Sequence, residues 1–135
     1  MSDAIAELIW GDGPQRFRLP IGQLRELQDK CDAGPARILA RLGGIDWKID
    51  DIRETVRLGL IGGGMLPPAA YTLVKRYIDD RDGGLMESRQ HAQIILMKAL
   101  VGDPSDPVGE QETAETPPTP TPKSSSATSS PGEPS

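Results

Sequence analysis

Nucleophilic catalysis needs a nucleophile, a base within reach of it and a third group that orients the base. The chain of 135 residues carries one histidine, His91, and one cysteine, Cys31. His91 lies beside Arg89 and Gln90, off the apolar stripe of its segment, and reads as a surface histidine. Cys31 shares an apolar helix face with Leu24 and Leu27 and reads as a small buried residue, because free cysteine packs as a small hydrophobe. A single cysteine forms neither an internal disulfide nor a multi-cysteine metal site, and it fits a reducing compartment. No enzyme, metal or cofactor is expected from these residues.

Three further clusters invite chemistry. Gly62-Gly63-Gly64 suggests a phosphate loop, but that loop needs a Lys and a Ser or Thr after its last glycine, and Met65-Leu66-Pro67 follows here. Asp79, Asp80 and Asp82 before Gly83 suggest a calcium loop. Its twelfth position, which should be Glu, is Gln90 or His91, so a solvated acidic turn is expected. Arg53 and Arg57, one turn apart, suggest the second helix of a DNA-binding helix-turn-helix. Asp50, Asp51 and Glu54 at the start of that helix would repel phosphates. The arginines are expected on a solvated face, with Glu54 and Arg57 as an i,i+3 pair.

The elements that would position these residues are mostly helical. Residues 4–19 read as a β-hairpin: Ala6, Leu8 and Trp10 alternate, Gly11-Asp12-Gly13-Pro14 turns the chain, and Phe17 and Leu19 alternate with Arg16 and Arg18. Trp10 and Phe17 are its packing groups. A first helix over 21–31 turns Ile21, Leu24, Leu27 and Cys31 to one side. Gly34-Pro35 restarts the chain into a short helix, 35–42, with Ile38, Leu39 and Leu42.

The next helix begins near Asp50 or Asp51, where Asp51 and Glu54 have capping-box spacing. It carries the stripe Ile49, Ile52, Val56 and Leu60. The glycine run stops it, as glycine supplies the left-handed conformation helix ends use. Pro67 and Pro68 start a helix over 67–80, lined by Ala70, Leu73, Val74, Tyr77 and Ile78. A last helix, 85–101, faces Leu85, Ala92, Ile95, Leu96, Ala99 and Leu100 inward. The expected fold is mainly α: a small N-terminal β-hairpin packed on about five short helices, then a C-terminal tail.

Charge divides the chain at the same place. Residues 1–102 hold 14 Lys and Arg against 14 Asp and Glu, whereas 103–135 hold one Lys and six acids. A neutral folded region lacks the cationic patch that phosphate-driven nucleic-acid binding requires. Pro, Ser, Thr and Glu dominate 103–135, a composition that buries too little surface to offset chain entropy, so this segment is expected to be a disordered tail. No signal peptide is visible in MSDAIAELIW and no run reaches the length of a membrane span, so a cytoplasmic location is expected.

Several runs carry a family resemblance: FRLPIGQLRELQDKC from Phe17 to Cys31, GPARILARL from Gly34 to Leu42, WKIDDIRETVRLGLIGGGM from Trp47 to Met65, and PPAAYTLVKRYIDD from Pro67 to Asp80. In order and spacing they resemble the small tail proteins of gene transfer agents, the phage-derived particles of alphaproteobacteria, and of related siphophage-like tail clusters. That family is described both as a tail assembly chaperone and as a tail tube protein. The resemblance implies a non-enzymatic role in tail morphogenesis over residues 1–102. A chaperone would bind the tape measure protein, a long aggregation-prone helical chain, and other tail proteins, without a small-molecule substrate or a membrane. A structural tube subunit, present in the particle, is the alternative within the family, and a small DNA-binding regulator the alternative outside it. Leu58, Ile61 and Met65 fall off the stripe through Ile52, Val56 and Leu60, which leaves two readings: a helix with two apolar sides in the middle of a helical core, or a docking surface in the helix-in-groove mode, with these three and the apolar remainder of helix 85–101 as the partner-binding residues.

Overall fold

The computed structural model describes residues 4–102; the tail expected to be disordered, 103–135, lies outside the described residues. The chain begins with an antiparallel hairpin, β1 (Ala6–Trp10) and β2 (Gly13–Phe17), paired from Ala6 opposite Phe17 to Trp10 opposite Gly13. The turn is one residue earlier than the Asp-Gly signal suggested. Gly11 takes a positive φ of 68° and Asp12 does not, the pattern of a II′ turn, which suits strand twist. Trp10 and Phe17 are buried, meet edge to face, and Trp10 also meets Tyr77 edge to face. The indole N–H of Trp10 donates to Ser88 Oγ at 2.9 Å, so its polar atom is satisfied inside the fold.

Five helices follow: α1 (Ile21–Cys31), α2 (Pro35–Gly43), α3 (Ile49–Gly62), α4 (Pro67–Val74) and α5 (Gly84–Val101). Pro35 and Pro67 start α2 and α4, as their fixed φ favours. The helix expected over 67–80 is α4 plus a π-helical turn, Lys75–Asp79. Three apolar residues expected to face inward do not. Ile21, Ile49 and Leu100 are exposed, each within a turn of a helix end where the neighbouring elements no longer cover it.

α3 is the central element. It packs against α5, α1, α4 and β2, so apolar residues are needed on several of its sides. Ile52, Thr55, Val56, Leu58 and Leu60 are all buried. The core around it is aliphatic, with Leu27, Ile38, Leu42, Val74, Ile95 and Leu96, and Phe17 its one phenyl ring.

The start of α3 corrects the expected cap. The helix begins at Ile49, so Asp51 is its third residue and neither Asp50 nor Asp51 is the cap. The Asp51 carboxylate accepts the backbone N–H of Lys48 at 2.8 Å, which is the returning half of a capping box.

The glycine run does two kinds of work. Only Gly64 has a positive φ, 117°. Gly62 and Gly63 are glycines because β2 and the residue after it cross here: a Cβ would run into the Arg18 carbonyl from Gly62 and the Arg16 carbonyl from Gly63. The crossing is fastened by a bond from Arg18 N–H to Gly59 C=O at 2.9 Å.

Candidate interaction face

The three expected partner-binding residues do not share one environment. Leu58 is 0% exposed: it is a core residue, because α3 is covered on the side that the stripe analysis left open, and it presents no surface to a partner. Ile61 and Met65 are half-buried against the core. Met65 lines a shallow groove of about 300 Å³ with Leu60, Gly63 and residues 14–16 of the hairpin. Leu66 next to it is 73% exposed. The available apolar surface in this region is therefore Ile61, Met65 and Leu66, at the turn from α3 to α4.

The arginines of α3 are likewise placed differently from expectation. Arg53 and Arg57 flank Glu54, which is buried, and both bind its carboxylate. Arg53 also forks onto Asp79, with Nε at 2.9 Å from Oδ1, and lies over the Tyr71 ring at 5.8 Å. Arg57 reaches Glu26 at 3.4 Å. Only the Glu54–Arg57 pair was legible from spacing. The solvated face is instead a chain of charges joining α1, α3 and the π turn, with the two guanidinium side chains 20% and 16% exposed. Bonding to Asp79 and to Glu54 respectively, against desolvation, raises both arginines above their ordinary value. Their hydrogen bonds are directed to carboxylates, so they are not presented to a phosphate backbone.

A second pair lies at the start of α3. Arg41 forks onto Asp51, Nε to Oδ2 at 2.9 Å and Nη2 to Oδ1 at 2.8 Å. Asp51 is fully buried. Its carboxylate therefore serves the cap and the fork together, which satisfies a charge that would otherwise be costly to bury.

Cys31 is buried and its thiol donates to the Asp50 carbonyl at 3.3 Å. Burial first, then the charge of Asp51, push the thiol up to about 12, the environment of an inert structural cysteine. His91 ties α5 to the hairpin: Nε2 lies 2.9 Å from the Ile9 carbonyl and Nδ1 3.1 Å from the Glu87 carbonyl. Asp79 and Asp80 are paired with Arg53 and Lys75. Among the described residues no group of His, Cys, Asp and Glu is arranged to hold a metal ion, and no helix is long and apolar enough to cross a membrane.

The second apolar surface belongs to α5. Its inner side, through Ser88, Ala92, Ile95 and Leu96, is buried. Its outer side exposes Met86, Ile94, Met97, Leu100 and Val101. Spare apolar surface is expected on this helix from its sequence, with Leu100 facing inward; Leu100 instead lies on the outer side, 40% exposed.

The described residues thus present two partly exposed apolar surfaces on a helical body braced by ion pairs. No curated protein and no solved structure matches the chain. One family does: the profile described as phage tail tube protein, GTA-gp10, matches residues 3–102, which includes every described element. The chain belongs to that gene transfer agent family of phage tail proteins.

Proposed function

We propose that the protein is a non-enzymatic tail assembly chaperone, which binds a helical segment of the tape measure protein and keeps that chain soluble while the tail is built. The observation that carries this reading is the balance of elements. Among the described residues the sheet is one hairpin of two five-residue strands, whereas a tube wall closes a ring by pairing strands between subunits, which takes extended sheet edges. The half-buried Ile61 and Met65 and the exposed Leu66 at the α3–α4 turn supply the means. Ile61 and Met65, four residues apart, and Leu66 provide closely spaced anchors for an amphipathic helix.

The test is co-expression of the tape measure protein with this chain. The wild type should raise the soluble fraction of the tape measure protein and co-purify with it. Ile61→Lys with Met65→Lys should abolish both effects and leave the circular dichroism spectrum of the chain unchanged. A tape measure protein equally soluble with and without the chain would contradict the reading.

The family description favours a second reading, a structural component of the tail tube. It requires stable incorporation into the particle, whereas a chaperone leaves before completion.

A further inference from the structure

The outer side of α5 has a pattern of its own. Met86, Gln90, Gln93, Met97 and Leu100 are separated by four, three, four and three residues, the spacing of a helix-pairing seam. Ile94 and Val101, seven apart, run along one edge of it. The seam carries no charge, and Gln90, Ile94, Met97, Lys98 and Val101 border a shallow groove of about 440 Å³. The inner stripe through Ala92, Ile95 and Leu96 already buries α5 in its own fold. The outer seam is therefore surplus to folding, and Met86 and Val101 are 61% and 68% exposed.

Charge selects the occupant. Glu87 and Lys98 are eleven residues apart, about three helical turns at 3.6 residues per turn, so they sit on the same edge of the seam, near opposite ends of α5. In an antiparallel helix pair, equivalent edges meet. Glu87 of one helix then lies opposite Lys98 of the other, and a two-fold axis repeats the pair. In a parallel pair each edge meets the opposite edge of the other copy, so Glu87 and Lys98 would not face one another. In the antiparallel orientation the seam is complementary to itself, as an isologous interface must be.

We propose that the protein self-associates through its α5 helices, one from each of two copies, packed antiparallel about a two-fold axis. Glu87 also pairs with Arg81 of its own chain at 3.0 Å, and both side chains are about half exposed, so the carboxylate keeps capacity for a second cation. A single helix pair is a small interface by the standard of permanent dimers, so the association depends on concentration. The α3–α4 turn takes no part in it, and the proposal stands independently of the chaperone reading.

Sedimentation velocity on the full chain between about 1 and about 200 μM tests it. The expected result is a reversible shift from monomer to twice the mass. Met97→Lys should remove the shift. Lys98→Glu, which sets like charges opposite, should weaken dimerisation several-fold, and the swap Glu87→Lys with Lys98→Glu should recover most of the loss. Circular dichroism of each variant checks that the helices persist, and the Lys98→Glu pair keeps the test decisive if Met97→Lys unfolds. A monomer at every concentration would overturn the proposal, as would a dimer indifferent to all of these changes. A monomer whose capture of the tape measure protein is lost in Met97→Lys would overturn it too, and would give the α5 face to the client instead.

Discussion

Asp51 concentrates the consequences of burial in one carboxylate. As the third residue of α3 it accepts the N–H of the capping residue Lys48 and holds Arg41 by two bonds, while itself 0% exposed. Removing one member of such a pair strands the other charge, which typically costs about 3 kcal/mol or more. Arg41→Ala should therefore lower the denaturant midpoint by an amount equivalent to about 3 kcal/mol, whereas Arg16→Ala, whose ion pair with Glu7 is solvent-exposed, should stay within about 1 kcal/mol of wild type. Equal effects at the two positions would show that the Arg41–Asp51 fork is not held as described.

Cys31 gives a pH-dependent prediction with a definite sign. Its thiol is raised from 9.0 to about 12 in the fold, so the folded chain keeps a proton that the unfolded chain loses. That contribution is complete below pH 9 and is lost as pH rises towards 12. Denaturant midpoints measured across this range should fall more steeply for wild type than for Cys31→Ala. At pH 8 the raised value leaves far less thiolate than an ordinary cysteine has, so a thiol reagent should label the native protein much more slowly than the unfolded chain. At this scale the sequence was legible where spacing alone decides, as for buried Cys31 and the Glu54–Arg57 pair. Arg41–Asp51 and Arg53–Asp79 join positions 10 and 26 residues apart, and no local pattern announces such a pairing.

At the scale of elements, the hairpin, the proline-started helices and the glycine-stopped helix were readable because each rests on local chemistry. What the pattern left open was whether the second apolar side of α3 is core or docking surface. Leu58 decides for core, because it is fully buried on the central helix. Leu58→Lys should therefore unfold the chain at room temperature, while Met65→Lys should leave the melting temperature within a few degrees of wild type. The reverse ranking would mean that α3 is not the centre.

The glycine run separates in the same way. Gly62→Ala and Gly63→Ala force a Cβ into the Arg18 and Arg16 carbonyls. Each should cost more than Gly64→Ala, which meets no atom within 4 Å and carries only the penalty of its positive φ, about 1–3 kcal/mol. Thermal melts of the three variants rank them directly. The glycine signal located the turn correctly, but the close crossing of β2 over the end of α3 is a tertiary fact that only the fold reveals.

For the whole molecule, the chain is a helical member of a phage tail family, with two apolar surfaces that its own fold does not consume. The one at the α3–α4 turn is proposed for a helix of the tape measure protein, and the one along α5 for a second copy. Most of this architecture was legible because the segments are short and strongly punctuated. The partner was not, because an exposed apolar face does not record what would cover it. Chaperone action is decided by the copy number of this protein in purified particles, by quantitative mass spectrometry, set beside its recovery with the tape measure protein from lysate. A chaperone should co-purify with the tape measure protein from lysate and be nearly absent from finished particles. Many copies in every finished particle would contradict chaperone action and make the protein part of the tail itself.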